Sequence, residues 1–89
     1  MSRLTTALNN DFTALCFLRD ELALRASLLE AELKTRWQEL EEKLDRLREH
    51  IGRAEVAADS TRPQLEAAAR TMLDALSKGY RDIKQALKG

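Results

Sequence analysis

The sequence predicts an all-α protein: a long antiparallel helical hairpin, a coiled coil that pairs with another copy of itself into a four-helix bundle region. Three observations carry this expectation. Apolar residues recur in steps of three and four for almost the whole chain, as one face of a helix requires. The pattern stops and restarts once, at Asp59-Ser60-Thr61-Arg62-Pro63, which holds the only proline. Hydrophobic residues make up 44% and charged residues 34% with only three glycines, a long-helix composition rather than that of a sandwich or a disordered chain. A length of 89 residues leaves room for one domain.

The first helix is expected over residues 11–58. Ser2 and Asn10 each offer cap chemistry ahead of an apolar face, so a bend near Asn9 and Asn10 stays open. Within the span only Gly52 opposes helix, and one interior glycine costs about 1 kcal/mol against alanine. Such a helix measures about 72 Å. Its seam changes phase once. The first half repeats every seven residues through Leu8, Leu15, Leu22 and Leu29, with Leu4 and Leu18 alongside. The second half runs through Leu33, Leu40, Leu47 and Ala54 and through Trp37, Leu44, Ile51 and Ala58. Passing from Leu29 to Leu33 to Trp37 takes two consecutive steps of four, a stutter that relaxes a left-handed supercoil locally.

After a turn at residues 59–62, a second helix over residues 63–87 starts with Ser and Thr caps and proline in its first turn. Folded back, it reaches only the second half of the first helix. The expected register pairs Leu65 with Ala58, Ala69 with Ala54, Met72 with Ile51, Leu76 with Leu47, Gly79 with Leu44 and Ile83 with Leu40. The hairpin core is therefore Leu33, Trp37, Leu40, Leu44, Leu47 and Ile51 against Leu65, Met72, Leu76, Ile83 and Leu87. Acidic-to-basic pairs four residues apart, such as Glu30 with Lys34 and Glu39 with Lys43, mark solvated faces. Lys78, Arg81 and Lys84 are expected opposite Asp45, Glu42 and Glu39 as flanking charges of the coiled coil.

That hairpin leaves Phe12, Leu15, Leu18, Leu22, Ala26 and Leu29 uncovered. Large apolar side chains gain about 1.5 to 3 kcal/mol each on burial, so this face is expected to be an oligomer interface in an antiparallel homodimer. Asp11 and Arg25 lie in the series of Leu4 and Leu18, where a polar residue either sets register or sits exposed at the seam edge.

No catalytic, cofactor-binding or metal-binding residues are expected, and no cofactor. His50 is the only histidine, and Leu47 stands where a helical di-iron site would place glutamate three residues earlier. Cys16 is the only cysteine, and on one straight helix it lies about 50 Å from His50, out of reach as a nucleophile pair. Trp37 reads as core ahead of a ligand anchor. Fifteen basic and fifteen acidic residues cancel, which argues against nucleic acid as a partner. The stripe Lys78, Arg81, Lys84 and Lys88 suits a helix C-terminus, with contact to anionic lipid as the alternative. Residues 1–6 have one charge and no apolar run, so no secretory signal is expected, and a single cysteine suits a reducing cytoplasm.

The Leu18-Arg19-Asp20-Glu21-Leu22 segment, Trp37-Gln38-Glu39-Leu40-Glu41-Glu42-Lys43 and Gly79-Tyr80-Arg81-Asp82-Ile83-Lys84 together resemble small bacterial coiled-coil proteins described as apolipoprotein-like. The resemblance covers residues 17–87 and implies a bacterial, cytoplasmic helical hairpin without a known activity. The functional expectation is a non-enzymatic, self-associating scaffold or binding module for itself or another helical protein. The alternative is a peripheral amphipathic protein on a lipid surface.

Overall fold

The computed structural model describes residues 3–88, with side chains for residues 6–88; Ser2, one of the expected caps, and the side chain of Leu4 lie outside the described residues. The all-helical expectation holds among them, and their arrangement corrects the single long helix. Helix α1 is Arg3–Ala23, α2 is Ala31–Val56 and α3 is Arg62–Lys88, with a 3-10 turn at Ala26–Leu28 between the first two. The chain continues through Asn9 and Asn10 without a bend and through Gly52 without a break. It reverses instead at residues 24–30, where the stutter begins at Leu29.

The result is an up-down-up bundle of three helices, 45 Å in its longest dimension and so too short for a 72 Å helix. Contacts give the directions. Asn9 and Arg19 reach Glu55 and Glu41, so α1 runs antiparallel to α2. Asp11 meets Arg70 and Arg25 meets the Leu87 carbonyl, so α1 runs parallel to α3. Asp11 and Arg25, the polar seam residues, are thus exposed and yet engaged with α3.

The reversal has a clear physical reason. It brings Leu8, Leu15, Leu22 and Leu29 into one core with Leu44, Leu47, Ile51, Ala69, Leu73, Leu76, Tyr80 and Ile83. Phe12, Leu18 and Ala26 pack partly buried against that core. The face expected to need a second chain is therefore covered by its own α2 and α3. Burial of four leucines at about 1.5 to 3 kcal/mol each outweighs the few helical hydrogen bonds lost at the break.

The hairpin half stands with corrections of register. Leu44, Leu47, Ile51, Leu76 and Ile83 are buried, and Leu33, Trp37, Leu40, Met72 and Leu87 pack partly buried against them. Leu65 is half-buried and Ala58 exposed, because α2 already ends at Val56 and Ala58 belongs to the turn. The shorter α2 slides the pairing by about one turn, so Gly79 faces Leu40 instead of Leu44. On α3 the buried series is Glu66, Ala69, Leu73, Leu76, Tyr80 and Ile83, rotated from the expected Met72 and Gly79 positions to face two helices instead of one. None of the described ion pairs joins Lys78, Arg81 or Lys84 to Asp45, Glu42 or Glu39; the pairs between helices are Arg19–Glu41 and Arg70–Asp11.

The turn between α2 and α3 lies where the sequence expects it, but its side-chain cap comes from Arg62. The guanidinium donates to the Ala54 and Ala57 carbonyls at 3.2 and 2.8 Å and to Asp59 at 2.7 Å, satisfying acceptors that the end of α2 leaves open.

Three substitutions test this packing. Leu15→Ala should destabilise the chain by about 2 to 5 kcal/mol. Chemical denaturation at several dilutions should return the same loss each time if Leu15 packs within one chain, whereas an interface role makes the loss depend on protein concentration. Gly52→Ala should stabilise by about 0.5 to 1 kcal/mol, since a Cβ there meets nothing within 4 Å. Gly79→Ala should gain less in the same assay, because its Cβ would fall 2.5 Å from Leu40 Cδ2.

Candidate interaction surface

Two features remain once the core is accounted for: a polar node joining the three helices, and an outer face of α1 that carries few charges and an exposed phenylalanine. The node is built from Arg19 on α1, Trp37 and Glu41 on α2, and Tyr80 on α3. Arg19 donates Nε to Glu41 Oε1 at 2.8 Å and a terminal nitrogen to Oε2 at 2.6 Å, a forked arrangement that fixes both side chains. The Tyr80 hydroxyl donates to Glu41 Oε1 at 3.0 Å. The Trp37 ring meets the Tyr80 ring edge-on with centroids 5.4 Å apart, and the Arg19 guanidinium lies 5.7 Å from the Trp37 centroid.

Tyr80 is fully buried, so its hydroxyl needs this partner. Burial first, then the charge of Glu41 and the hydrogen bond to it, push the phenol well above its ordinary 10. The hydrogen bond to Glu41 likewise raises the Arg19 guanidinium, which stays protonated throughout. Glu41 has its described partners, Arg19 and Tyr80, within the bundle, so this one carboxylate joins all three helices.

The residues considered for chemistry are dispersed. His50 is half-buried, with Nδ1 3.2 Å from the Arg46 carbonyl of its own helix. Cys16 does not lie 50 Å along a straight helix from α2; the reversal sets it in a small groove with Arg19, Glu41, Leu44 and Asp45. Among the described residues no group of three metal-ligating side chains converges. Trp37 lies at the node as part of the packing. A larger groove of about 470 Å³ runs between α1 and α3, floored by Leu15, Leu18 and Leu73 and rimmed by the Asp11–Arg70 ion pair and Arg81.

The outer face of α1 is the distinctive surface. Helix α2 has 13 charged residues in 26, whereas α1 has five in 21: Arg3, Asp11, Arg19, Asp20 and Glu21. Between Leu4 and Leu18 only Asp11 is charged, and it is held by Arg70. The exposed uncharged residues there are Thr6, Ala7, Asn10, Thr13, Ala14 and Phe17. Phe17 is 71% exposed, and Leu24 two turns on is 86% exposed. Charge depletion on the N-terminal side of an exposed aromatic, with Asp20 and Glu21 on its other side, has the composition of an interface centre bordered by a charged rim. The signal was present in the sequence as a run from Leu4 to Leu18 with a single charge, Asp11.

No family model, curated protein or solved structure matches the chain. Among the described residues no helix is long and apolar enough to cross a membrane.

The node predicts a pH response. The unfolded chain releases the phenol proton near 10 and the folded chain at higher pH, so above 10 the unfolded state binds fewer protons. The contribution of Tyr80 to stability is therefore full below pH 10 and declines as pH rises beyond it. Tyr80 is the only tyrosine, so tyrosinate absorbance reads it directly. Ionisation at the ordinary pH in the folded protein would contradict the burial. Tyr80→Phe should cost about 1 to 2 kcal/mol, the range for a hydrogen bond whose acceptor is charged but partly hydrated.

Proposed function

We propose that the protein is a non-enzymatic helical module that works by binding another protein, and that the outer face of α1 is the contact surface. The observation that supports this is the exposed, uncharged strip Thr6, Asn10 and Thr13, which leads to the 71% exposed Phe17 and contrasts with the densely charged α2. Its occupant is the uncharged face of a partner helix, packed around Phe17. A charged partner surface would lose hydration on this strip without gaining counter-charges. The Leu15, Leu22 and Leu29 face, expected to serve this purpose, lies inside the bundle, so the binding surface moves to the opposite side of the same helix.

The lipid-surface reading keeps a place through Phe17, Leu24 and Leu28, all exposed near one end of the bundle. Asp20 and Glu21 beside Phe17 weaken it, because an anionic bilayer surface repels them.

A photoreactive phenylalanine analogue at position 17, with the same analogue at exposed Glu49 on α2 as the control, tests the proposal in the native cell. A discrete protein adduct formed from position 17 and not from position 49 is expected, and Phe17→Asp should remove that protein from co-purification. The substitution should change stability by no more than about 0.5 kcal/mol, since the side chain is exposed. Absence of an adduct specific to position 17 sinks the reading, and binding to phosphatidylglycerol vesicles that Phe17→Asp abolishes would transfer it to lipid.

A further inference from the structure

The two turns of the bundle are made differently. The α2–α3 turn has Pro63, Ser60 and Thr61 in sequence and the Arg62 clamp in structure. Residues 24–30 read Leu-Arg-Ala-Ser-Leu-Leu-Glu, with no glycine, no proline and no residue at positive φ. Leucine, arginine, alanine and glutamate are among the better helix formers. Glu30, at the N-cap of α2, makes no side-chain cap bond, and Leu24 and Leu28 are 86% and 72% exposed.

The departure from helix is also small in dihedral terms. Leu29 and Glu30 have φ of −71° and −65°, already helical, and only their ψ values of 143° and 161° are extended. Residues 26–28 are already a 3-10 turn. Returning two ψ angles to the α region and relaxing residues 24–28 makes residues 3–56 one helix, about 80 Å long. The segment is held closed by the burial of Leu29 and of α1 on α2 and α3, and the contacts made by α1 are ones that a second copy can supply.

We infer that this chain forms a domain-swapped homodimer by straightening at residues 24–30, with α1 of each copy packed on α2 and α3 of the other. The occupant of the α1 site is a second copy because the matching surface is already described: Leu8, Leu15 and Leu22 refill the same core, Arg19 meets Glu41 of the partner subunit, and Asp11 meets the partner's Arg70. The observed pairs Arg19–Glu41 and Asn9–Glu55 set an antiparallel alignment of the two long helices centred near residues 30–32. The two copies of segment 24–30 then lie beside the symmetry axis, where Leu28 leaves solvent. Closed and swapped forms share their core, so protein concentration and the turn's own preference decide between them. The inference does not depend on the function proposed above, since Phe17 faces outward in both forms.

The test places cysteines at Asn9→Cys and Glu55→Cys in a Cys16→Ser background, joined by a short bismaleimide. In the closed chain the bridge forms within one molecule; in the swapped dimer it joins two. Refolding at graded concentrations should give a covalent dimer whose share rises at least tenfold from micromolar to near-millimolar protein. Bridges confined to single chains at every concentration would falsify the inference. Ala31→Pro then tests the mechanism. Position 31 opens α2, where proline is accommodated, and Glu30 already has the extended ψ that a following proline favours. This variant should keep the monomer's thermal midpoint or raise it while lowering inter-chain bridging at least tenfold. Unchanged bridging would show that the copies associate without straightening the turn, and would overturn the swap.

Discussion

Two amphipathic helices cannot enclose a core, and the architecture follows from that constraint. A hairpin of α2 and α3 buries one stripe of each helix and leaves the margins of both wet. The stripe on α1 supplies what is lacking, because its leucines at 8, 15 and 22 are spaced to lie along the groove between the other two helices. Once α1 closes, α3 must face two neighbours, so its buried series rotates to include Leu73 and Tyr80. Close approach at Gly79, where Leu40 occupies the space of a Cβ, belongs to the same packing.

Hydrophobic burial alone would allow α1 to slide along the groove by a turn or to settle at a different angle. The Arg19, Glu41, Trp37 and Tyr80 node limits that freedom, since a forked guanidinium–carboxylate pair and a buried hydroxyl tolerate little displacement. It touches all three helices at one level. The Asp11–Arg70 pair and the Arg25 contact to the Leu87 carbonyl repeat the same alignment nearer the ends. These contacts are partly exposed, and their value lies in register more than in net stability.

The turn at residues 57–61 was legible because it is written in local chemistry, with proline, serine, threonine and aspartate clustered between two periodic segments. The turn at residues 24–30 was not, because every residue in it also suits a helix. One trace of it was present: the two consecutive steps of four from Leu29 to Trp37, read as a stutter in a continuous helix, accompany a reversal of the chain. A phase change can be absorbed by unwinding or by breaking, and local propensity favours unwinding. The Arg19–Glu41 junction was equally hidden, since a residue pair separated by 22 positions becomes a contact only after the reversal.

By itself the sequence determined that this protein is helical, which stripe of each segment is apolar, and where α2 gives way to α3. Those properties depend on spacing and on residue type over a few turns. Tertiary structure decided how many helices there are, which leucines face inward, and which face of α1 is left exposed. The reason is that the break at residues 24–30 has no local signal to enforce it; it exists because burying Leu8, Leu15, Leu22 and Leu29 together releases more free energy than continuing one helix through seven residues.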